Sequence, residues 1–263
     1  LESCAALRAR FMEYLDDTGV TAPGHHVLMD LGWSGSVVAD LARIIRQERG
    51  PGATFEGLLT GLYWDASPNR RKITLRGLAF DEYMPLDDNV RLLGMIRFFE
   101  SLITAPHGSV VDYSGRQPVR AATFDPPDLG ATGWTEFASH IHEVAVGIVT
   151  GLDNEVPRPD VNRASVRAAM FQVGHTPTAM EVDALRGVHH ETAIDHVGAG
   201  DRIVATPTHT TTLENIPDVY EMLVRHHWMQ GTLEAWGRDG RHCRVAERVR
   251  EIWPMMRPDW VRT

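Results

Sequence analysis

Residues 25–45 read HHVLMDLGWSGSVVADLARII, and the fold turns on this stretch. Val27–Leu31 is an aliphatic run of strand length, which predicts a buried strand. Gly32-Trp33-Ser34-Gly35-Ser36 is a turn of small residues with an indole inside it. Val37, Val38, Leu41, Ile44 and Ile45 then recur at helical spacing on one face, until Gly50-Pro51-Gly52 stops the helix. Phe55–Trp64 is a second apolar run, rich enough for another buried strand. Strand, helix, strand in that order is the unit of a parallel sheet.

Outward from this unit, Leu7, Phe11, Tyr14 and Leu15 repeat at helical spacing before Gly19. Ile73–Phe80 is expected to be an antiparallel or edge strand after the polar turn at Pro68–Lys72. Val90, Leu93, Ile96, Phe99 and Ile103 predict one helix that ends near Ala105-Pro106. SVVDYSGRQPV reads as a hairpin about Ser114-Gly115, and FDPPDLGATG reads as a loop. Phe137, Ile141, Val144, Ala145 and Ile148 mark a further amphipathic helix. Another starts within PRPDVNRASVRAAMF, and a last long one is expected over Ile216–Leu233. The fold class is therefore α/β: a Rossmann-like, mostly parallel sheet flanked by helices, with a more helical C-terminal portion. Residues 1–156 are expected to form the core with a hairpin insertion, and residues 157–263 a mainly helical portion.

The bulk numbers narrow the partners. The chain has 263 residues, 43% hydrophobic and 23% charged, which is ordinary for a globular protein. A formal charge of −9 argues against nucleic acid, whose binding draws on clustered Lys and Arg. Cys4 and Cys243 stand far apart and in no metal or redox spacing, so a reduced cytoplasmic setting is expected, with peripheral association to the inner membrane as its variant. No apolar run reaches the roughly 18 residues of a transmembrane helix, and the charged first twenty residues argue against a signal peptide. The chain begins at Leu1, and other domains of a larger protein are expected beside it.

The turn at Asp30–Ser36 admits several chemistries. Neither G-x-G-x-x-G nor G-x-x-x-x-G-K-[ST] is present, so dinucleotide and P-loop fingerprints fail. A nucleophile elbow at Ser34 fails because Ser36 replaces the second glycine and too few residues precede it. Asp30-Leu31-Gly32 lacks the second acid of a haloacid-dehalogenase phosphatase. A methyltransferase-like turn has its strand, acid and Gly32 in order, yet Ser34 and Ser36 stand where further glycines belong. An anion site fits better: backbone N–H groups of Gly32, Ser34, Gly35 and Ser36 would face a phosphate at the start of the helix. The serine hydroxyls would add donors and Trp33 would stack on a sugar or base. A plain strand-to-helix connection capped by Ser36 stands beside it.

Several stretches in order, FMEYLDDTGV, VLMDLGWSGSVVADL, GLLTGLYWD, LRGLAFD and FFESLITAPHGSVVDY, resemble one family. They look like the region following the haloacid-dehalogenase-like domain in large bacterial proteins of capsule and surface-polysaccharide synthesis. HTPTAMEVDALRG and HHWMQGTLEAWG are similar to its more distant markers. The resemblance implies a phosphorylated or nucleotide-activated sugar as ligand, and a glycosyl- or phosphosugar-transferase module as function. An S-adenosylmethionine-dependent methyltransferase-like domain and a non-catalytic scaffold of the same pathway are the alternatives.

Glu100 and His107 are the candidates for acid–base work, with Asp30 either orienting the ligand through the ligand's hydroxyl groups or rigidifying the turn. Ser109 and Tyr113 would add hydroxyls. Thirteen histidines invite a metal, above all VHHETAIDH with His189, His190, Glu191, Asp195 and His196. H-E-x-x-H is absent, however, and no metal is assigned. No cofactor beyond the sugar ligand is expected.

Overall fold

The computed structural model describes residues 4–63, 66–80, 85–103, 105, 110–114, 117–120, 134–155, 163–191 and 200–253. The chain is a mixed α/β protein of two compact units. The first takes Leu1–Met84 with His107–Ala122, and the second Pro85–Pro106 with Thr123–Thr263.

In the first unit, helix α1 (Cys4–Thr18) precedes strand β1 (Gly24–Asp30), helix α2 (Ser36–Arg49) and strand β2 (Ala53–Leu59). A short helix α3 (Ser67–Arg70) leads to strand β3 (Thr74–Gly77). The three strands form one parallel sheet in the order β1-β2-β3. Parallel pairing is what the crossover through α2 requires, since antiparallel neighbours would need only a tight turn. Ile73–Phe80 thus yields a parallel edge strand.

Alternation decides which face of the sheet is covered. Phe55, Leu59 and Leu75 point to one side and are buried with Met12 and Leu15 of α1 and Val38, Ala39, Ala42 and Ile45 of α2. Successive side chains on a strand point to opposite faces, so the other side carries Val27 and Met29, which are 55% and 74% exposed. There Glu56 gathers Arg76 at 2.6 Å and His25 at 3.7 Å. The first strand is therefore not the buried one expected. The aliphatic run Val27–Leu31 meets helices on one side only, and Leu28, its most inward residue, is half-buried.

The hairpin is present as strands β4 (Val110–Ser114) and β5 (Gln117–Arg120), paired antiparallel. It docks on α1: Asp112 accepts two hydrogen bonds from Arg10, at 2.9 and 2.7 Å. Tyr113 packs its ring 5.1 Å from those of Phe11 and Tyr14.

The second unit is mainly helical. The helix expected over Val90–Ile103 is two, α4 (Leu86–Leu93) and α5 (Ile96–Ile103), parted at Gly94-Met95. Then come α6 (Trp134–Glu155), α7 (Arg163–His175) and α8 (Ala179–Leu185), followed by two antiparallel strands, β6 (His189–Glu191) and β7 (Gly200–Arg202). Thr178 opens α8 with a reciprocal capping box to Glu181. The long helix expected over Ile216–Leu233 is also two, α9 (Ile216–His226) and α10 (Met229–Gly237), before α11 (Cys243–Ile252).

Trp228 explains the second break. Its N–H donates to the Ile203 carbonyl at 2.6 Å, a bond that no helix could provide. Its ring is fully buried, stacked 4.4 Å from Phe98, and its Nε1–H donates to the Gly174 carbonyl at 2.8 Å. His227 turns inward beside it, its Nδ1 2.6 Å from the Arg202 carbonyl oxygen. No helix of the described residues is long and apolar enough to cross a membrane.

Candidate functional site

The β1–α2 corner lies where β1 and β2 end, at the carboxyl edge of the parallel sheet. Open α/β sheets place ligands outside this edge. Asp30 is the last residue of β1, and its carbonyl accepts the Thr60 N–H beyond β2 at 3.2 Å. Its carboxylate leans over Gly32, occupying the space in which a side chain at residue 32 would begin. Glycine there lets an acid overhang the turn.

Gly35 makes the turn into the helix. It caps α2 with φ 70° and ψ 16°, a left-handed conformation that glycine adopts without steric cost. A Cβ at this position would also strike the Leu75 side chain. Its carbonyl accepts the Ala39 N–H at 3.0 Å and so starts the helical ladder. Ser34 Oγ donates to Ser36 Oγ at 3.2 Å, and the Ser36 N–H reaches Ser34 Oγ at a long 3.4 Å. That last contact is at the weak limit of a hydrogen bond, and the side chains on the outer surface here, Ser36 and Val37, are exposed. The corner thus combines two hydroxyls and the first amides of α2 with the carboxylate that overhangs Gly32.

The corner is braced from beneath. Trp33 is 5% exposed, its ring 6.3 Å from that of Phe80, and its carbonyl accepts the Tyr63 N–H at 3.2 Å. An indole so buried props the turn and offers no free face for a sugar or base to stack on. Asn69 completes the brace: its Nδ2 donates to the Ser34 carbonyl at 3.0 Å, while its Oδ1 accepts from Lys72 Nζ at 3.1 Å. Lys72 brings a positive charge towards the serine turn. Asn69 lies 35 residues from Ser34, so no local pattern ties it to the turn; in the sequence it is one residue of the polar turn at Pro68–Lys72.

Among the described residues of the first unit, Tyr113 is the one remaining candidate. Tyr113 sits between α1 aromatic rings, and burial raises its phenol above the ordinary range. Glu100 belongs to α5 in the second unit, where Arg97 Nη1 donates to its Oε2 at 2.8 Å. His107 and Ser109 lie outside the described residues. His189, His190 and Glu191 form β6, and Asp195 and His196 are also outside the described residues. Among the described residues no three His, Cys, Asp or Glu side chains group to hold a metal ion.

Neither a protein-family model nor a curated protein nor a solved structure matches this chain.

Proposed function

We propose that the β1–α2 corner binds a phosphorylated or nucleotide-activated sugar, on a Rossmann-like core serving as a glycosyl- or phosphosugar-transferase module of bacterial surface-glycan synthesis. The observation that carries the proposal is the pairing of an acid and two hydroxyls in one short turn at the carboxyl edge of the sheet. Asp30 overhangs Gly32, and Ser34 and Ser36, whose hydroxyls meet each other, stand at the start of α2. A carboxylate accepts hydrogen bonds only, so Asp30 suits sugar hydroxyls and would repel a phosphate. Hydroxyls and helix N-terminal amides suit the phosphate, with Lys72 close by as a counter-charge. The sequence resemblance to surface-polysaccharide proteins points to the same ligand class. Trp33 enters as a structural prop. The corner suffices for binding, and acid–base roles for Glu100 and His107 are not needed for it.

A thermal-shift titration with nucleotide sugars and sugar phosphates tests this. A ligand at a hundred times its Kd stabilises a native state by about 2.7 kcal/mol, so the melting point should rise by several degrees. The Ser34→Ala/Ser36→Ala double variant and Asp30→Asn should melt like the parent without ligand and lose the ligand's shift. A larger shift with S-adenosylmethionine would replace sugar binding by methyl-donor binding. No shift with any of these ligands would leave a non-catalytic scaffold.

A further inference from the structure

Strand β1 lies at one edge of the parallel sheet, with β2 on its inner flank. Along a strand, one residue turns its N–H and C=O towards one neighbour and the next residue turns its own the other way. The Gly24 N–H donates to the Gly52 carbonyl at 3.0 Å, and the Asp30 carbonyl accepts the Thr60 N–H at 3.2 Å. Gly24, His26, Leu28 and Asp30 are therefore the residues that bond to the β2 side. The N–H and C=O groups of His25, Val27 and Met29 face outward, and no described strand receives them.

Natural sheet edges are commonly blunted by a lysine, a proline or a bulge. β1 has none of these: it reads Gly-His-His-Val-Leu-Met-Asp and follows β2 in unbroken register. The side chains of Val27 and Met29 are exposed as well. A row of outward donors and acceptors beside exposed apolar side chains is matched by another strand.

We propose that β1 pairs antiparallel with β1 of a second copy of this chain, about a two-fold axis at Leu28, joining two three-stranded sheets into one. Antiparallel partners exchange both backbone bonds where the groups of both residues point outward, and Val27 opposite Met29 of the second copy meets that condition. Leu28 then faces its own counterpart, and Asp30 faces His26 of the second copy. Apolar residues meet apolar ones, and the one acid of the strand meets an imidazole. Other axes spoil the match. With the axis at Val27, His26 opposes Leu28 and Asp30 opposes Gly24; with the axis at Met29, Asp30 opposes Leu28. A two-fold interface requires such a self-complementary patch, and the side-chain pattern is what fixes a strand's register. An edge of seven residues falls short of the roughly 1,200 Å² at which stable interfaces begin, so this dimer dissociates on dilution.

Sedimentation velocity of the 263-residue chain from about 1 μM to about 1 mM, the span in which weak complexes form, provides the test. The chain should pass from monomer to dimer with no larger species. The amide protons of Val27 and Met29 should exchange quickly in the dilute chain and slowly in the concentrated one, while those of His26 and Leu28 change little. Met29→Lys puts a charge on an exposed position of the edge, leaves the monomer folded, and should move the midpoint of dimerisation about tenfold or more to higher concentration. Val27→Pro removes an outward N–H and no bond to β2, and should do the same; Met29→Lys decides alone should that variant fail to fold. Cysteine pairing reads the register, because opposed residues of such a ladder lie within disulfide reach. A mixture of Val27→Cys and Met29→Cys chains should form a disulfide between positions 27 and 29, identified by peptide mass. A monomer across the whole range would overturn the proposal. So would a dimer equally tight in Met29→Lys, the absence of the 27–29 disulfide, or one that joins position 27 to position 27.

Discussion

Asn69 and Ser34 are joined by one hydrogen bond, 3.0 Å from the amide Nδ2 to the carbonyl oxygen. Through it, the connection between β2 and β3 holds the turn between β1 and α2. Asn69 is 9% exposed, so little water can replace what its removal takes away. Asn69→Ala should cost about 1–3 kcal/mol, the penalty for a buried polar group left without its partner. Urea denaturation at neutral pH measures it. A loss below a few tenths of a kcal/mol would show that the bond braces nothing.

Gly35→Ala should be worse, for two additive reasons. A left-handed conformation costs an L-residue about 1–2 kcal/mol, and forcing a methyl group into Leu75 costs about 1–3 kcal/mol more. Gly32→Ala makes a contrast. Its methyl group meets the end of the Asp30 side chain, which can rotate away, so stability should fall little while sugar-phosphate binding falls with the displaced carboxylate. Melting points and ligand shifts of the two variants, measured together, separate architecture from binding. Equal stability losses in both would contradict the geometry.

His175 gives the second unit a pH dependence. Burial pushes its imidazole down to about 4 from the ordinary 6.5, and its neutral ring stacks 5.3 Å from that of Trp253 while Nε2–H donates to the Arg91 carbonyl at 3.0 Å. In the unfolded chain this histidine takes up a proton near pH 6.5, whereas the folded protein resists until about pH 4. Stability is thus complete above the unfolded value and is lost as pH falls from 6.5 towards 4. The unfolding free energy should be flat above neutrality and decline through this window. His175→Gln should flatten the decline there, leaving the later loss that comes when carboxylates such as Asp16 and Asp183 protonate. An unchanged slope in the variant would assign the decline to other groups.

The elements set by local spacing were legible in the sequence. The 3.6-residue period over Val37–Ile45 gives α2, and the small residues at 32–36 give the corner. The strand alternation of SVVDYSGRQPV gives β4 and β5. What escaped was set by distant partners. Helical spacing runs unbroken through His227-Trp228, yet the chain turns there because Ile203 and Gly94 take the N–H groups of Trp228 and Met229. The same holds for Trp33: a tryptophan in a glycine turn looks like a stacking platform until Phe80 covers it. Asp30 and the serines of the corner could be read locally, whereas their brace at Asn69 required the third dimension.

The one-sided covering of the sheet bears on how the molecule breathes. β1 borrows order from β2 along one flank and from helices beneath it, but no described strand adjoins its other flank. Amide protons along that outer flank should therefore exchange with deuterium well before those of β2, and the acid that terminates β1 rides on an edge strand of the sheet. Any occupant that engages Asp30 would slow this exchange along the whole strand.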